Sequence, residues 1–553
     1  MRVKRTLPHI QIAQYSLFPF LDVTHIFVLL LQTSPPPLVD WTCVPTLVLA
    51  VTLVVVAATA LVARTTDGKQ PARLPGPLPL PFLGTRWLFW SRYKMNKLHE
   101  AYEDMFRRYG PIFVEMTPGG AAVVSIAERS ALEAVLRTPA KRPYRPPTEI
   151  VQVYRRSRTD RYASTGLVNE QGEKWHHLRK HLTADLTSPH TMQGFLPELN
   201  NICDDFLVLL ESCRRSDGVV AGFDQLTNRM GLESVCGLML GTRLGFLERW
   251  MSGRAATLAA AVKAHFRAQR DSYYGAPLWK FAPTTVYRTF VKSEEIIHTI
   301  VSELMEEAKN RTQGSANDDG MREIFIKILE NPALDMRDKK AAVIDFITAG
   351  IETLANSLVF LLYLLGGRPD WQRRIRSELP SCATLSAEDL AVAPSVRAAI
   401  NEAFRLLPTA PFLARLLETP MNIAGHKLPA GTFVLAHTGA ACRREENFWR
   451  ATEYLPERWL EPREPHAASL MAPFGRGRRM CPGKRFVELE LHLLLAKVRI
   501  LLYKDQMWMA KILCISYRFI MQRWRVEFDG ELDIQFDFLL APKSPVSFRL
   551  VEW

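Results

Sequence analysis

The chain has 553 residues, 48% hydrophobic and 23% charged, which is enough to bury a large core and leaves no disordered or low-complexity majority. Its formal charge of +13 comes from Lys and Arg spread along the chain with no basic stripe interleaved by aromatics, so no nucleic-acid partner is expected; a membrane surface or an acidic protein fits the same charge. Eight cysteines show no C-x-x-C pair and no zinc spacing, which speaks against a disulfide framework and places the body in a reducing compartment.

Residues 1–40 read as a targeting-like segment: Met1 to Gln32 is poor in acids, with Arg2, Lys4 and Arg5 early and Asp22 alone. Residues 41–64 form a hydrophobic membrane segment, since Trp41 to Ala63 carries no charge and Val44 to Val62 is long enough to span a bilayer. Residues 65–84 end in RLPGPLPLPFLG, a stiff Pro-rich hinge, and residues 85–553 follow as one large domain.

Within that domain helix-period segments dominate: Lys97 to Tyr109, Ala127 to Arg137, Glu173 to Leu186, Leu196 to Cys213, Ser293 to Asn310, Met336 to Leu365, Val396 to Leu407 and Lys484 to Val498. Short strand-like runs lie between them at Ile112 to Glu115, Ala121 to Ile126 and Phe433 to Ala436. The fold class expected is mainly α with a small β portion (α+β).

Four constellations carry chemistry. Trp175 and Arg179 stand one helical turn apart, and an indole N–H beside a guanidinium suits an anionic group. His176 and His177 between them read as surface residues. Ala349-Gly350-Ile351-Glu352-Thr353 places an acid and a hydroxyl in the middle of an apolar helix, where both are normally penalised, and Gly350 lets a ligand approach the backbone. Side by side, the Thr353 hydroxyl and the Glu352 acid with ordered water could relay protons to a bound molecule. Glu402 and Arg405 form E-x-x-R on one helix face, and PERW at Pro456 to Trp459 follows.

The fourth is FGRGRRMCPG, Phe474 to Gly483. It presents Cys481 behind an arginine-rich turn containing Gly475 and Gly477 and just before Gly483 and a helix. A thiolate at a helix start feels the positive end of the dipole, and N–H groups freed by the glycines can donate to its sulfur; both favour the charged form. A single anionic sulfur of this kind is the metal ligand that haem iron requires from below. Phe474 would cover the sulfur side of the ring and Arg479 could pair with a haem propionate. A cysteine alone is more often a small buried core residue.

F-x-x-G-x-R-x-C-x-G, with Phe474, Gly477, Arg479, Cys481 and Gly483 at its fixed positions, resembles the haem-binding loop of the cytochromes P450. The resemblance covers Arg73 to about Lys497 and Val526 to Leu550, and implies haem (iron protoporphyrin IX) as cofactor, O2 as co-substrate and monooxygenase activity. It implies that Glu402, Arg405 and Arg458 form a buried structural network, that Arg415 joins Trp175, Arg179 and Arg479 at the propionates, and that Ala349 to Thr353 is the distal motif. Leu354 stands where many members have a second hydroxyl.

Lys484 and Arg485 resemble the basic redox-partner surface of the mitochondrial clan, which implies an adrenodoxin-type ferredoxin; NADPH-cytochrome P450 reductase is the alternative because lysines before E-x-x-R are missing. The stretches SRTDRYASTGLVNEQGEKW and QRDSYYGAPLWKF resemble a steroid-hydroxylating branch, so a lipophilic steroid is the implied substrate. Pocket-lining candidates are the loop before Trp175, Phe346 to Gly350, Ala410, Phe412, Leu539 and Leu540.

The clan favours the mitochondrial inner membrane, whereas Val44 to Val62 with its hinge resembles an endoplasmic reticulum anchor. Leu501 to Trp524 has no counterpart in relatives and is either a gene-model artefact or an excursion outside the fold. If it disrupts the helix after Cys481, a non-catalytic sterol-binding form is the competing reading; a P450 acting on another lipophilic substrate is a further one.

Overall fold

Leu98, Ala101, Tyr102, Met105 and Phe106 recur at the spacing of one helix face, and they form the buried side of α1 (Leu98–Tyr109). This computed structural model describes residues 74–81, 83–137, 143–248, 253–312, 323–379, 384–460, 467–497 and 524–552. The expectations for residues 1–73 and for most of 501–524 fall outside them. Residues 68–553 form one compact unit.

After α1, β1 (Ile112–Met116) and β2 (Ala122–Ile126) pair antiparallel. The chain continues through α2 (Arg129–Arg137), α3 (Glu149–Ser157), α4 (Gly172–Leu182), α5 (Pro189–Cys213), β3 (Val219–Ala221), α6 (Phe223–Leu240), α7 (Gly253–Tyr274), α8 (Thr285–Thr312) and α9 (Glu323–Glu330). The core helix α10 (Met336–Gly366) then leads to α11 (Pro369–Glu378), α12 (Pro394–Leu406), β4 (Leu413–Leu416), the β5 (Met421–Ile423) and β6 (His426–Leu428) hairpin, and β7 (Phe433–Ala436). The cysteine loop opens α13 (Lys484–Lys497), and β8 (Trp524–Glu527), β9 (Ile534–Phe536), β10 (Leu540–Pro542) and β11 (Ser547–Glu552) close the chain.

The main sheet has the order β1-β2-β7-β4, with β2 and β7 parallel and β4 antiparallel to β7. Trp524, the last residue of the anomalous stretch, is the buried first residue of β8 and pairs with Glu552, so the excursion ends one residue earlier than expected. The helix after the cysteine runs unbroken over Lys484–Lys497, and the Lys497 ammonium pairs with Asp204 at 2.5 Å; residues 498–523, where the competing reading places the disruption, lie outside the described residues.

α10 is capped by Asp335, whose carboxylate accepts from the Arg337 N–H. Among the described residues it is the one helix long and apolar enough to cross a membrane, but 67% of its apolar window is buried in protein, as befits a core helix. It packs on α6 through two glycines. A Cβ on Gly231 would lie 2.8 Å from the Ile351 carbonyl oxygen, and one on Gly350 would lie 2.6 Å from Val235 Cγ2. Gly350 therefore serves helix packing, with Val235 against the place its side chain would take, while its backbone keeps some accessible surface.

Candidate active site at the cysteine loop

The cysteine loop is built by backbone conformations that only glycine adopts cheaply. Gly475 and Gly477 have φ of 76° and 72°, and a 3-10 turn over Gly477–Arg479 follows. The Cys481 N–H donates to the Phe474 carbonyl at 2.9 Å, closing the loop. Phe474 packs edge-on against Phe404 of α12, with ring centroids 5.2 Å apart.

The Sγ of Cys481 accepts from the backbone N–H groups of Gly483 and Lys484 and faces Arg179 and Arg145. A Cβ on Gly483 would stand 3.8 Å from that sulfur. Burial nevertheless dominates and pushes the thiol up from its ordinary value. The two N–H groups and the two guanidiniums act the other way, toward the thiolate. A metal cation directly on the sulfur supplies what they lack, because a coordinating thiol is deprotonated outright.

Around the loop four guanidiniums gather: Arg145, Arg179, Arg415 and Arg479. Arg479 lies 4.0 Å over the Trp175 ring and donates to the carbonyls of Pro143 (3.0 Å) and Glu170 (2.7 Å) and to Gln171 Oε1 (2.7 Å). Arg179 donates to the Met480 carbonyl at 2.8 Å, and Arg415 to the carbonyls of Ala414 and Arg476 at 2.9 and 3.2 Å. Trp175 and Arg179 thus share one face of α4 directed at the loop. Burial, and for Arg479 the neighbouring Arg145, Arg415 and Arg179 as well, drives its guanidinium down to about 9; burial and Arg145 drive Arg415 to about 10. Guanidinium does not give up its proton in proteins, so these shifts express an uncompensated positive field that calls for an anion.

Sequence reasoning missed Arg145. Its side chain is exposed, yet crowding by the protein around it lowers its pKa while the Cys481 sulfur opposes the shift. None of the four forms an ion pair among the described residues. The signal that could have found it is the Pro-flanked RPYRPP, which fixes a rigid strap beside α4: the Arg145 N–H donates to Gln171 Oε1 at 3.1 Å and Gln171 Nε2 returns to its carbonyl at 2.6 Å.

α10 supplies the opposite chemistry. Phe346, Ala349, Gly350 and Thr353 form a run of accessible residues in the middle of this mostly buried helix. Thr353 Oγ1 donates to the Ala349 carbonyl at 2.8 Å, which leaves its lone pairs as acceptors. Glu352 is buried, and desolvation raises its pKa to about 7, with Lys263 and Arg267 of α7 opposing and Asp537 adding to the rise. It titrates near neutrality, as a proton relay requires. Ala410 and Phe412 follow α12, and Phe412 stacks on Phe536 with centroids 5.8 Å apart. Leu539 and Leu540 stand at the β9–β10 hairpin.

The structural network is compact. Glu402 and Arg405 are fully buried; Arg405 Nε and Nη2 donate to the carboxylate at 2.9 and 2.8 Å, and Arg458 Nε adds a bond of 2.9 Å. Trp459 Nε1 donates at 2.8 Å and the Leu455 N–H at 3.0 Å, two partners that motif spacing did not reveal. Lys484 and Arg485 open α13; Lys484 sits 3.7 Å from Glu488, and Arg485 is exposed.

A haem held by a thiolate needs one axial sulfur, cations for two carboxylates and a partly apolar wall. A thiol held by two N–H groups, four guanidiniums without carboxylate partners and the accessible run of α10 meet those needs. Residues 74–499 match the family Cytochrome P450, and the match stops where the anomalous stretch begins. The chain is 47% identical over 496 residues to the ecdysone 20-monooxygenase of Drosophila melanogaster, covering 86% of this chain and 88% of that protein. It is 30% identical over 442 residues to the mitochondrial 1,25-dihydroxyvitamin D(3) 24-hydroxylase of Mus musculus (78% and 84%), and 29% over 446 residues to the mitochondrial cytochrome P450 302a1 of Drosophila melanogaster (78% and 89%). With its mainly helical body and small sheets, its cysteine loop and these relatives, the chain belongs to the cytochrome P450 family.

Proposed function

We propose that the protein is a haem-thiolate monooxygenase that hydroxylates ecdysone at C20 to give 20-hydroxyecdysone. The observation that carries this reading is the set of four unpaired guanidiniums around one N–H-supported thiol; the 47% identity to an ecdysone 20-monooxygenase names the substrate. Cys481 would hold the haem iron, and Arg145, Trp175, Arg179, Arg415 and Arg479 would hold its propionates. When bound, the haem supplies the activation of O2 and the oxidation of an unactivated C–H bond.

The remaining roles belong to the chain. Thr353 offers an acceptor hydroxyl on the distal side, and Glu352 takes up and returns protons between that side and the Lys263 side of α7. Phe346, Phe412 and the β9–β10 hairpin exclude water and orient a lipophilic substrate. Lys484 and Arg485 present the basic surface for an adrenodoxin-type ferredoxin at the mitochondrial inner membrane; of this, two relatives' names support the mitochondrion.

The test is turnover of labelled ecdysone by purified enzyme with ferredoxin, its reductase and NADPH. A single product hydroxylated at C20, lost in Cys481→Ala together with the red-shifted reduced-carbonyl band, is expected. A normal band without ecdysone turnover overturns the substrate; an unchanged band in Cys481→Ala overturns the site.

A further inference from the structure

One helical turn beyond Thr353, the apolar core helix carries Asn356 and Ser357, both buried. Ser357 Oγ donates to the Thr353 carbonyl at 2.7 Å and, its proton used there, accepts from the Thr409 hydroxyl at 2.8 Å. Asn356 Nδ2 donates to the Leu540 carbonyl at 3.2 Å, and the Leu540 N–H donates to the Thr409 carbonyl at 2.9 Å. These bonds close a ring through three separate segments: α10, the Pro408 loop that leads to Phe412, and the β9–β10 hairpin. Asn356 is 184 residues from Leu540 and Ser357 is 52 from Thr409, so nothing local imposes the arrangement.

Buried hydroxyls and amides contribute little net stability over apolar groups of the same shape; what they add is a fixed register. Here the register is that of the Pro408 loop and the β9–β10 hairpin against the Thr353 turn. Phe412 stands three residues from Thr409 and stacks on Phe536 of β9, so a shift at Thr409 moves both aromatic walls together.

We infer that Asn356, Ser357 and Thr409 are positioning residues that clamp the two pocket walls to the Thr353 turn and thereby set which carbon of the substrate is oxidised. The inference rests on the monooxygenase reading. The hydroxyl that Leu354 fails to provide is found about one turn further on, at Ser357, where its proton is committed to the Thr353 carbonyl and it holds geometry.

The test uses the full-length enzyme. Ser357→Ala with Thr409→Val removes both partners at once, leaves neither hydroxyl orphaned and so keeps the fold. Haem content and the reduced-carbonyl band should match the wild type, and KM should stay within about twofold. Peroxide released per NADPH and the fraction of steroid hydroxylated at secondary positions should rise by about tenfold, the scale of a sub-ångström misplacement. Ser357→Thr and Thr409→Ser, which keep a hydroxyl, should restore the wild-type product ratio. Unchanged product ratio and peroxide yield in the double variant overturn the inference. So does a change accompanied by equal loss in the hydroxyl-retaining variants, which marks a packing role. If ecdysone gives no spin shift with the wild type, the substrate assignment fails by itself, and the peroxide yield of substrate-free turnover then decides: a tenfold rise supports the clamp and no rise overturns it.

Discussion

Glu490 lies on the core side of α13, fully buried, and apart from the nearby Ser234 hydroxyl, too loosely placed for a full hydrogen bond, its carboxyl oxygens have no partner among the described residues. Desolvation raises its pKa from 4.5 to about 8, offset only in part by the Ser234 hydroxyl beside it. The group is therefore mostly protonated in the folded enzyme at pH 7 and ionised in the unfolded chain. A raised carboxyl pKa gives stability that is fully present below the unfolded value and is lost as pH rises toward the folded one. At pH 7 the cost is about 3 kcal/mol, and it grows by about 2 kcal/mol between about pH 6 and about pH 8. Glu490→Gln keeps the shape of the neutral acid and removes this titration. Its urea midpoint relative to the wild type, followed by circular dichroism, should rise from pH 6 to pH 8 by an amount equivalent to those 2 kcal/mol. A difference between the two proteins that is the same at both pH values refutes the reasoning, because it would mean that Glu490 has a partner or a water path that lets it ionise in place.

Glu402→Gln leaves Arg405 buried with three backbone carbonyls and no carboxylate, and should cost about 3 to 5 kcal/mol, read as loss of haem-loaded protein and a lower unfolding midpoint. Arg145→Gln removes one of four cations from the cysteine-loop cluster; transfer of haem to apomyoglobin should speed up by about tenfold with the protein still folded, and an unchanged rate would place Arg145 outside the site. Glu352→Gln should lower turnover by about a hundredfold and remove the limb of the pH–rate profile centred near 7, whereas an unaltered profile would transfer the relay to another group.

What the sequence made legible was what is contiguous. The cysteine loop places Phe474, Gly477, Arg479 and Cys481 within one turn of chain, and E-x-x-R needs only helical spacing, so both could be read before any fold existed. α10 announced itself by length and its buried acid. α6 did not, because it is buried on nearly every face, including Asp224, Arg229 and Glu233, and such a helix shows no amphipathic period. α7 escaped for a different reason: its first half is a run of alanines interrupted by few large apolar side chains.

The misread details share one cause, which is that they depend on partners far along the chain. Arg145 is an ordinary residue of a Pro-rich strap until Cys481, Arg415 and Arg479 arrive from more than two hundred residues away. Gly350 has a local reading as a gap for a ligand, and only the approach of Val235 shows which neighbour fills it. The thiol of Cys481 is the sharpest case. Its helix start and N–H donors are local and legible in the motif; the desolvation that outweighs them comes from the whole surrounding core. Burial and those local groups act on the thiol in opposite directions, and only the fold sets how much of each the sulfur feels. Local motifs name the atoms of such a site, while the field acting on them belongs to the fold.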